Sequence, residues 1–315
     1  MPQPTLSAER HSVRKPVRRK GLFPLYAMTV PFFLVAVLFH YVPLWGWSIA
    51  FLDYSPGIDL AEAKFVGLKY FERLFSGTSE FGLVLRNTLV LSFLHLLLSP
   101  VPVLLAIMIT NLRSRLYGKI VQTVTSFPNF TSWIIVYSIF FSFFSIDDGM
   151  VNKLLYGKLH WIDEPSNLLA DPSWTWWFMT LATLWKTAGW TAIIYISAIA
   201  GIDQEQYQAA EVDGANRFQQ ALHITIPGIM PTFTILLLIN IGNMLNIGFE
   251  QYYVFHNALI HEKIEVIDTY TYRMGLVQND FSYSTAAGIF KSLISVILLF
   301  SANFITKLTT GRSIM

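Results

Sequence analysis

The chain has 315 residues, 53% of them hydrophobic and 13% charged, with a mean hydropathy of +0.47. An ordinary soluble domain, in which about a quarter of residues are charged, is excluded. A net charge of +2 offers no nucleic-acid surface, and the absence of cysteine excludes disulfides, thiolate metal sites and a cysteine nucleophile.

A basic tail opens the chain over residues 1–21, with Arg10, Arg14, Lys15, Arg18, Arg19 and Lys20. A helix needs about 20 apolar residues to cross hydrocarbon, because lipid offers the backbone N–H and C=O groups no partner. Six stretches meet this need, near 22–45, 84–109, 120–144, 174–200, 230–254 and 285–305. They predict an all-α integral membrane protein with six transmembrane helices over 22–306 and a tail over 307–315. The first apolar run is long and lacks a small-residue cleavage site, so it is expected to be an uncleaved anchor. Arg113, Arg115 and Lys119 fill the second connection. With the basic tail, they place the N-terminus and that connection in the cytoplasm.

Pro31, Pro100, Pro102 and Pro128 predict kinks needed for packing. Thr123, Thr125, Ser126, Asn129 and Thr131 interrupt the third span, and Asn240, Asn243 and Asn246 the fifth. Such residues face protein or water rather than lipid. The outside loops carry Asp53, Tyr54, Asp59, Glu62, Asp147, Asp148, Asp163 and Glu164. These form a solvated face or, alternatively, a dock for a soluble partner. Adjacent acids do not converge on one substrate atom, so no catalytic residue is assigned. His256 and His261, five residues apart, fall outside helical i, i+4 spacing, and no metal site is assigned.

In the fourth span, Thr183, Lys186, Thr187 and Trp190 fall on one helical face. In the fifth, Asn240, Asn243 and Asn246 do so at spacings of three. Amides at membrane depth line either a polar interface or a substrate path. An indole beside amides and hydroxyls suits a sugar, whose C–H faces stack while its hydroxyls are bonded.

The fourth connection, 203–231, is the most patterned segment. Ala209 and Ala210 favour a helix that Gly214 ends, and Asp213 and Arg217 have the spacing of a helical ion pair. Two short helices joined near Gly214 are expected, with Pro227 and Pro231 stopping the second and aiming the chain back into the membrane. The segment reads as a docking element for a cytoplasmic partner, or as a solvated loop without one.

The residues Gln208-Ala209-Ala210, Asp213-Gly214-Ala215, Ile226-Pro227 and Pro231 resemble the EAA loop of permease subunits in binding-protein-dependent ABC importers. His40-Tyr41-Val42-Pro43 with Gly46, Phe65-Val66-Gly67-Leu68 with Tyr70-Phe71, and Trp185-Lys186 with Gly189-Trp190 resemble its carbohydrate branch, the oligosaccharide and polysaccharide importers. The resemblance implies a bacterial inner-membrane subunit with a cytoplasmic coupling helix between the fourth and fifth spans. Gln208, Ala209, Ala210, Glu211, Asp213, Gly214, Ala215 and Pro227 would then couple to the ATPase. Gln208 departs from the usual Glu and lacks its charge. The implied partners are a second homologous permease, an ATP-binding subunit dimer, an extracytoplasmic solute-binding protein and membrane lipid.

ATP and Mg belong to the partner ATPase. This chain has no G-x-x-x-x-G-K-[ST] loop, so neither a cofactor nor an enzymatic activity is assigned to it. By position relative to the EAA loop, Thr183, Lys186, Thr187, Trp190, Asn243 and Asn246 match sugar-contacting residues of the maltose-type permease. Lys186 departs from that pattern, and a buried ammonium demands an anionic partner. That partner is either the carboxylate of an acidic, uronate-containing oligosaccharide or a structural acid in the companion subunit. The rival readings are an ion-coupled secondary transporter, weakened by the lack of carboxylates well inside the spans, and an ABC permease for a non-sugar solute.

Overall fold

The computed structural model describes residues 22–77, 80–162 and 164–310. The basic tail over 1–21, Asp163 and residues 311–315 of the C-terminal tail lie outside them. The chain divides into two compact units, Met1–Ser48 and Ile49–Met315.

The first unit contains α1 (Leu22–Ala36), a π-turn over Val37–Tyr41 and the start of a 3-10 stretch, Val42–Phe51. The turn has a cause in the sequence. Pro43 donates no hydrogen bond, and a proline ring clashes with the carbonyl four residues before it. The ladder shifts instead to i→i+5, with Val42 N–H donating to Val37 O.

The second unit begins with β1 (Leu52–Asp53) and β2 (Lys64–Phe65), an antiparallel pair in which Leu52 faces Phe65. Beyond them lie α2 (Lys69–Leu74), α3 (Phe81–Leu97), α4 (Pro100–Thr110), α5 (Arg115–Ser126), α6 (Trp133–Phe144), α7 (Met150–Leu155) and α8 (Thr175–Ala200). Then come α9 (Gln204–Val212), α10 (Arg217–Gln220), α11 (Ile226–Gly242), α12 (Glu250–Val254), α13 (His261–Ile264), α14 (Ile267–Tyr272) and α15 (Phe281–Thr310). The hairpin is tied down by Asp53, which accepts from Tyr70 Oη, and by Ser282, which donates to Leu52 O at 2.6 Å. The Tyr70 bond holds the Asp53 carboxyl below its ordinary range, while burial and then Asp53 push Tyr70 up to about 12.

The helix α8 packs against α3, α4, α5 and α11. Its small residues permit this: Ala182, Gly189 and Ala192 are buried, and Gly189 lies directly against the α5 backbone at Thr125 and Ser126. One core cluster joins Leu74, Phe81, Tyr270 and Tyr283, a second joins Leu91, Met179, Tyr252 and Phe255, and a third joins Ala106, Tyr195 and Ile229.

Among the described residues, four helices are long and apolar enough to cross a membrane: Tyr26–Phe51, Phe81–Thr110, Arg217–Gly242 and Phe281–Leu308. The pair Arg115–Phe130 and Trp133–Phe144 makes a fifth if it is one broken span. Two predicted spans need correction. The third is not one helix over 120–144, because its halves meet at 105°. Pro128 supplies no N–H, Thr131 is extended, and Ser132 restarts the helix by accepting from Ile135 N.

The fifth predicted span, 230–254, starts too late and ends too late. Pro227 and Pro231 do not stop a helix. A π-turn over Ala221–Thr225, closed by Ile226 N–H to Ala221 O, absorbs Pro227, and Pro231 sits inside α11. The helix therefore runs from Arg217 to Gly242, after which the chain unwinds until α12.

Candidate functional site

A cavity of about 400 Å³ lies between α3, α4, α8, α11 and the unwound segment that follows α11. Among the predicted residues, Thr183, Thr187, Asn243 and Asn246 come together on its wall, with Asn240 one turn earlier. The two later amides stand in the unwound segment rather than on a helical face, as Asn246 N donates to Asn243 O at 2.7 Å. Irregular backbone at membrane depth is tolerated where it lines a cavity. The segment is held from both sides: Ser92 Oγ donates to Met244 O, and Asn246 Nδ2 donates to Ser295 Oγ at 3.4 Å. Thr183 Oγ1 donates to Gln251 Oε1 at 2.7 Å, and Gln251 Nε2 donates to Met179 O at 2.9 Å, locking α12 onto α8.

Lys186 and Trp190 do not line this cavity. The Lys186 ammonium donates to Asn129 O at 2.8 Å and Pro128 O at 3.3 Å, and Trp190 packs edge-on against Phe130. Within the chain, the Lys186 ammonium therefore meets two carbonyls at the break between α5 and α6. Sequence reasoning missed Ser92, His95 and Ser99, which line the cavity from α3 and the turn after it. Their spacings of three and four in an apolar span were the available signal. The aromatic surface on the wall belongs to Tyr195 and Phe233. His95 Nε2 is buried and has no hydrogen-bond partner among the described residues. The lining is therefore hydroxyls, amides, one imidazole and aromatic faces, the set that bonds and stacks on a carbohydrate.

Of the two short helices expected in segment 203–231, only α9 is short and separate; beyond the Gly214 turn, the helix that starts with α10 runs on to Gly242. Asp203 caps α9 through Glu205 N. The end of α9 is a Schellman turn: Gly214, at φ +79°, donates to Glu211 O and Ala215 N donates to Ala210 O. Asn216 and Gln219 form a reciprocal capping box that starts α10. Arg217 does not pair with Asp213; its Nη1 donates to Asn111 O at 2.6 Å, because the turn at Gly214 breaks the helical register between them. Tyr207 Oη and Thr225 Oγ1, 3.0 Å apart, tie α9 to the π-turn. The stapled loop leaves Gln208, Ala209, Glu211, Asp213 and Gly214 exposed and Ala210 and Ala215 half-buried, with Pro227 exposed at the start of α11. It also leaves Val212 87% and Phe218 74% exposed, two apolar side chains that sequence reasoning passed over.

A model of the family described as "Binding-protein-dependent transport system inner membrane component" matches residues 100–311. The chain belongs to this family. It is 43% identical to protein LplB of Bacillus subtilis (strain 168) over 284 residues, 90% of this chain and 88% of that protein. It is equally 43% identical to the polygalacturonan/rhamnogalacturonan transport system permease protein YteP of the same organism, over 90% of this chain and 87% of that one. Its fold is similar to a chain of a bacterial ABC transporter involved in the import of the acidic polysaccharide alginate. The TM-score is 0.82 at 36% identity, covering 92% of this chain and 97% of that chain. A second structure of a bacterial alginate ABC transporter, in complex with an alginate pentasaccharide-bound periplasmic protein, aligns with a TM-score of 0.84 at 35% identity, covering 94% and 98%. The chain is thus a membrane permease component, not a catalytic one.

This permease has a second polar cluster, which helical spacing did not reveal. A turn between α12 and α13 brings His256 Nε2 within 2.8 Å of His261 Nδ1. Ligand atoms of Glu80, His261 and Glu265 lie within 4.8 Å of one another, and the Arg273 guanidinium is committed to both carboxylates. It binds Glu265 through Nε at 2.7 Å and Nη2 at 2.9 Å, and Glu80 through Nη2. The Glu265 bonds raise the pKa of Arg273, whereas burial and then His261 lower that of His256. Glu265 is buried, so Arg273→Met strands its carboxylate. The expected cost is about 3–5 kcal/mol, read as a lower unfolding temperature of the detergent-purified protein. An unchanged temperature would mean that the cluster contributes nothing.

Proposed function

We propose that the chain is one of two permease subunits of an ABC importer that moves an acidic oligosaccharide into the cytoplasm. One observation carries this reading: a continuous helix from Arg217 to Gly242 has the α9–α10 loop at one end and the amide-bearing cavity wall at the other. Displacement of the loop by an ATPase would reach the substrate path through a single rigid element. The alginate transporters and the polygalacturonan/rhamnogalacturonan permease support the sugar class and its charge.

The finer arrangement follows from the same reading. The broken pair α5–α6 is the third of six spans, and α8, with 26 residues, is the fourth despite its Trp, Thr and Lys content. The permease domain covers 22–306 between tails at 1–21 and 307–315. The Arg217 bond to Asn111 brings the connection bearing Arg113, Arg115 and Lys119 beside the loop, which supports placing both in the cytoplasm, with the N-terminus on that side. A homologous second permease would complete the path, an ATP-binding dimer with its ATP and Mg would seat α9, and a solute-binding protein would deliver cargo outside. Gln208, Ala209, Ala210, Glu211, Asp213, Gly214, Ala215 and Pro227 serve the ATPase contact. Thr183, Thr187, Asn243 and Asn246 serve the sugar.

The test is uptake of labelled uronate oligosaccharides into vesicles holding the whole importer. Asn243→Leu with Asn246→Leu is expected to raise KM about tenfold or more, the loss of one or two hydrogen bonds, with normal amounts of protein in the membrane. Unchanged KM would remove the two amides from the substrate path.

A further inference from the structure

Lys186 lies in the middle of α8, the helix proposed above as the fourth span, and is only 8% exposed. Among the described residues it has no carboxylate within 4.0 Å, although Glu250 attracts it at longer range. It spans the break in the third segment instead. Nζ donates to Pro128 and Asn129 carbonyls on the α5 side, and it sits 5.5 Å from the ring centroid of Trp133, the first residue of α6. Helix breaks at membrane depth leave carbonyls that some other donor must satisfy, and a desolvated cation gains from both carbonyl dipoles and an aromatic face. The same junction is closed by Trp190 against Phe130, 5.4 Å between ring centroids, and by the direct approach of Gly189 to the Thr125 carbonyl. Beside them Ser126 Oγ is buried without a hydrogen-bond partner among the described residues. The packing at this junction therefore leaves a polar group unmet. A second arrangement of the junction could supply its partner.

The fourth helix ends at Ala200, and α9 begins at Gln204. Any displacement of α9 is therefore passed to α8 through three residues. We infer that Lys186 is a positioning residue for transport: its ammonium fastens both arms of the bent α5–α6 segment to α8, so that movement of the loop carries the bend with it. The inference rests on α9 being the element the ATPase moves. It replaces substrate contact by Lys186 with a mechanical link, which makes a different kinetic prediction.

The test uses the assembled importer in vesicles, with Lys186→Met and Lys186→Arg. Lys186→Met is expected to lower the maximal uptake rate about tenfold and to leave KM unchanged for both neutral and uronate oligosaccharides. Lys186→Arg, which keeps the donors and the charge, is expected to restore most of the rate. The chain has no cysteine, so spin labels at K119C and F143C, both exposed positions on opposite arms of the bend, report its angle directly. One narrow distance is expected with Lys186 or K186R, and a broadened or shifted one with K186M. If K186M does not accumulate, K186Q takes its place in both measurements. A KM increase confined to uronate substrates would overturn the inference by returning the ammonium to the cargo, and an unchanged rate and distance would overturn it outright. If loop variants leave uptake intact while K186M still broadens the distance, the docking reading fails and the clamp itself stands.

Discussion

A methyl group at position 189 is expected to destabilise the folded permease by about 3 kcal/mol, and a leucine side chain by more. Gly189 is fully enclosed where α8 meets α5, and a Cβ built there overlaps the Thr125 carbonyl and lies 2.6 Å from Ser126 N. These are backbone atoms, so no rotamer change relieves the overlap; the helices must separate. Separation would also pull Lys186 from the Pro128 and Asn129 carbonyls and part Trp190 from Phe130. Gly288→Ala is the control, since nothing lies within 4 Å of a Cβ there. The yield and unfolding temperature of detergent-purified Gly189→Ala and Gly288→Ala should differ widely. Equal behaviour would show that the α5–α8 contact is looser than described.

The second large effect concerns the loop. Val212→Asp with Phe218→Asp is expected to lower ATP-driven uptake by about a hundredfold, as when the apolar anchors of an interface are lost. Both side chains lie free of the protein's own core, so the amount of folded permease should not change. They flank the Gly214 turn at the tip of the loop, and the Arg217–Asn111 and Tyr207–Thr225 bonds hold that turn rigid beneath them. A rigid mount is what an element transmitting force requires. Uptake within twofold of wild type would assign the anchoring to the small residues Ala209, Ala210 and Gly214 alone.

Much of this was legible in the sequence, and the rest was hidden for definite reasons. Spans announce themselves by composition, because lipid imposes one rule on every residue that faces it. The loop announced itself because Ala209 and Ala210 favour a helix and Gly214 supplies the left-handed residue that ends it. Proline misled in both directions. Pro227 marked a π-turn within a continuing helix, whereas Pro128 accompanied a full break, and the difference lies in tertiary partners: Lys186 stands ready to satisfy the carbonyls at 128 and 129. Regular helical spacing failed for Asn243 and Asn246, which occupy unwound chain, and for His256 and His261, which meet across a turn. Ser92, His95 and Ser99 were passed over because their span is strongly apolar as a whole, although their spacings of three and four mark the one face that lines the cavity.

The central claim is that this chain works as the ATPase-coupled permease of an oligosaccharide importer. Its most direct test is to tag the chain, extract it from its native membrane in mild detergent, and assay the purified material for ATPase activity and for a second permease. The account predicts both from the wild-type chain, and only the second permease when Val212 and Phe218 are replaced by Asp. Recovery of the chain alone, still able to take up sugar in vesicles without ATP, would contradict it.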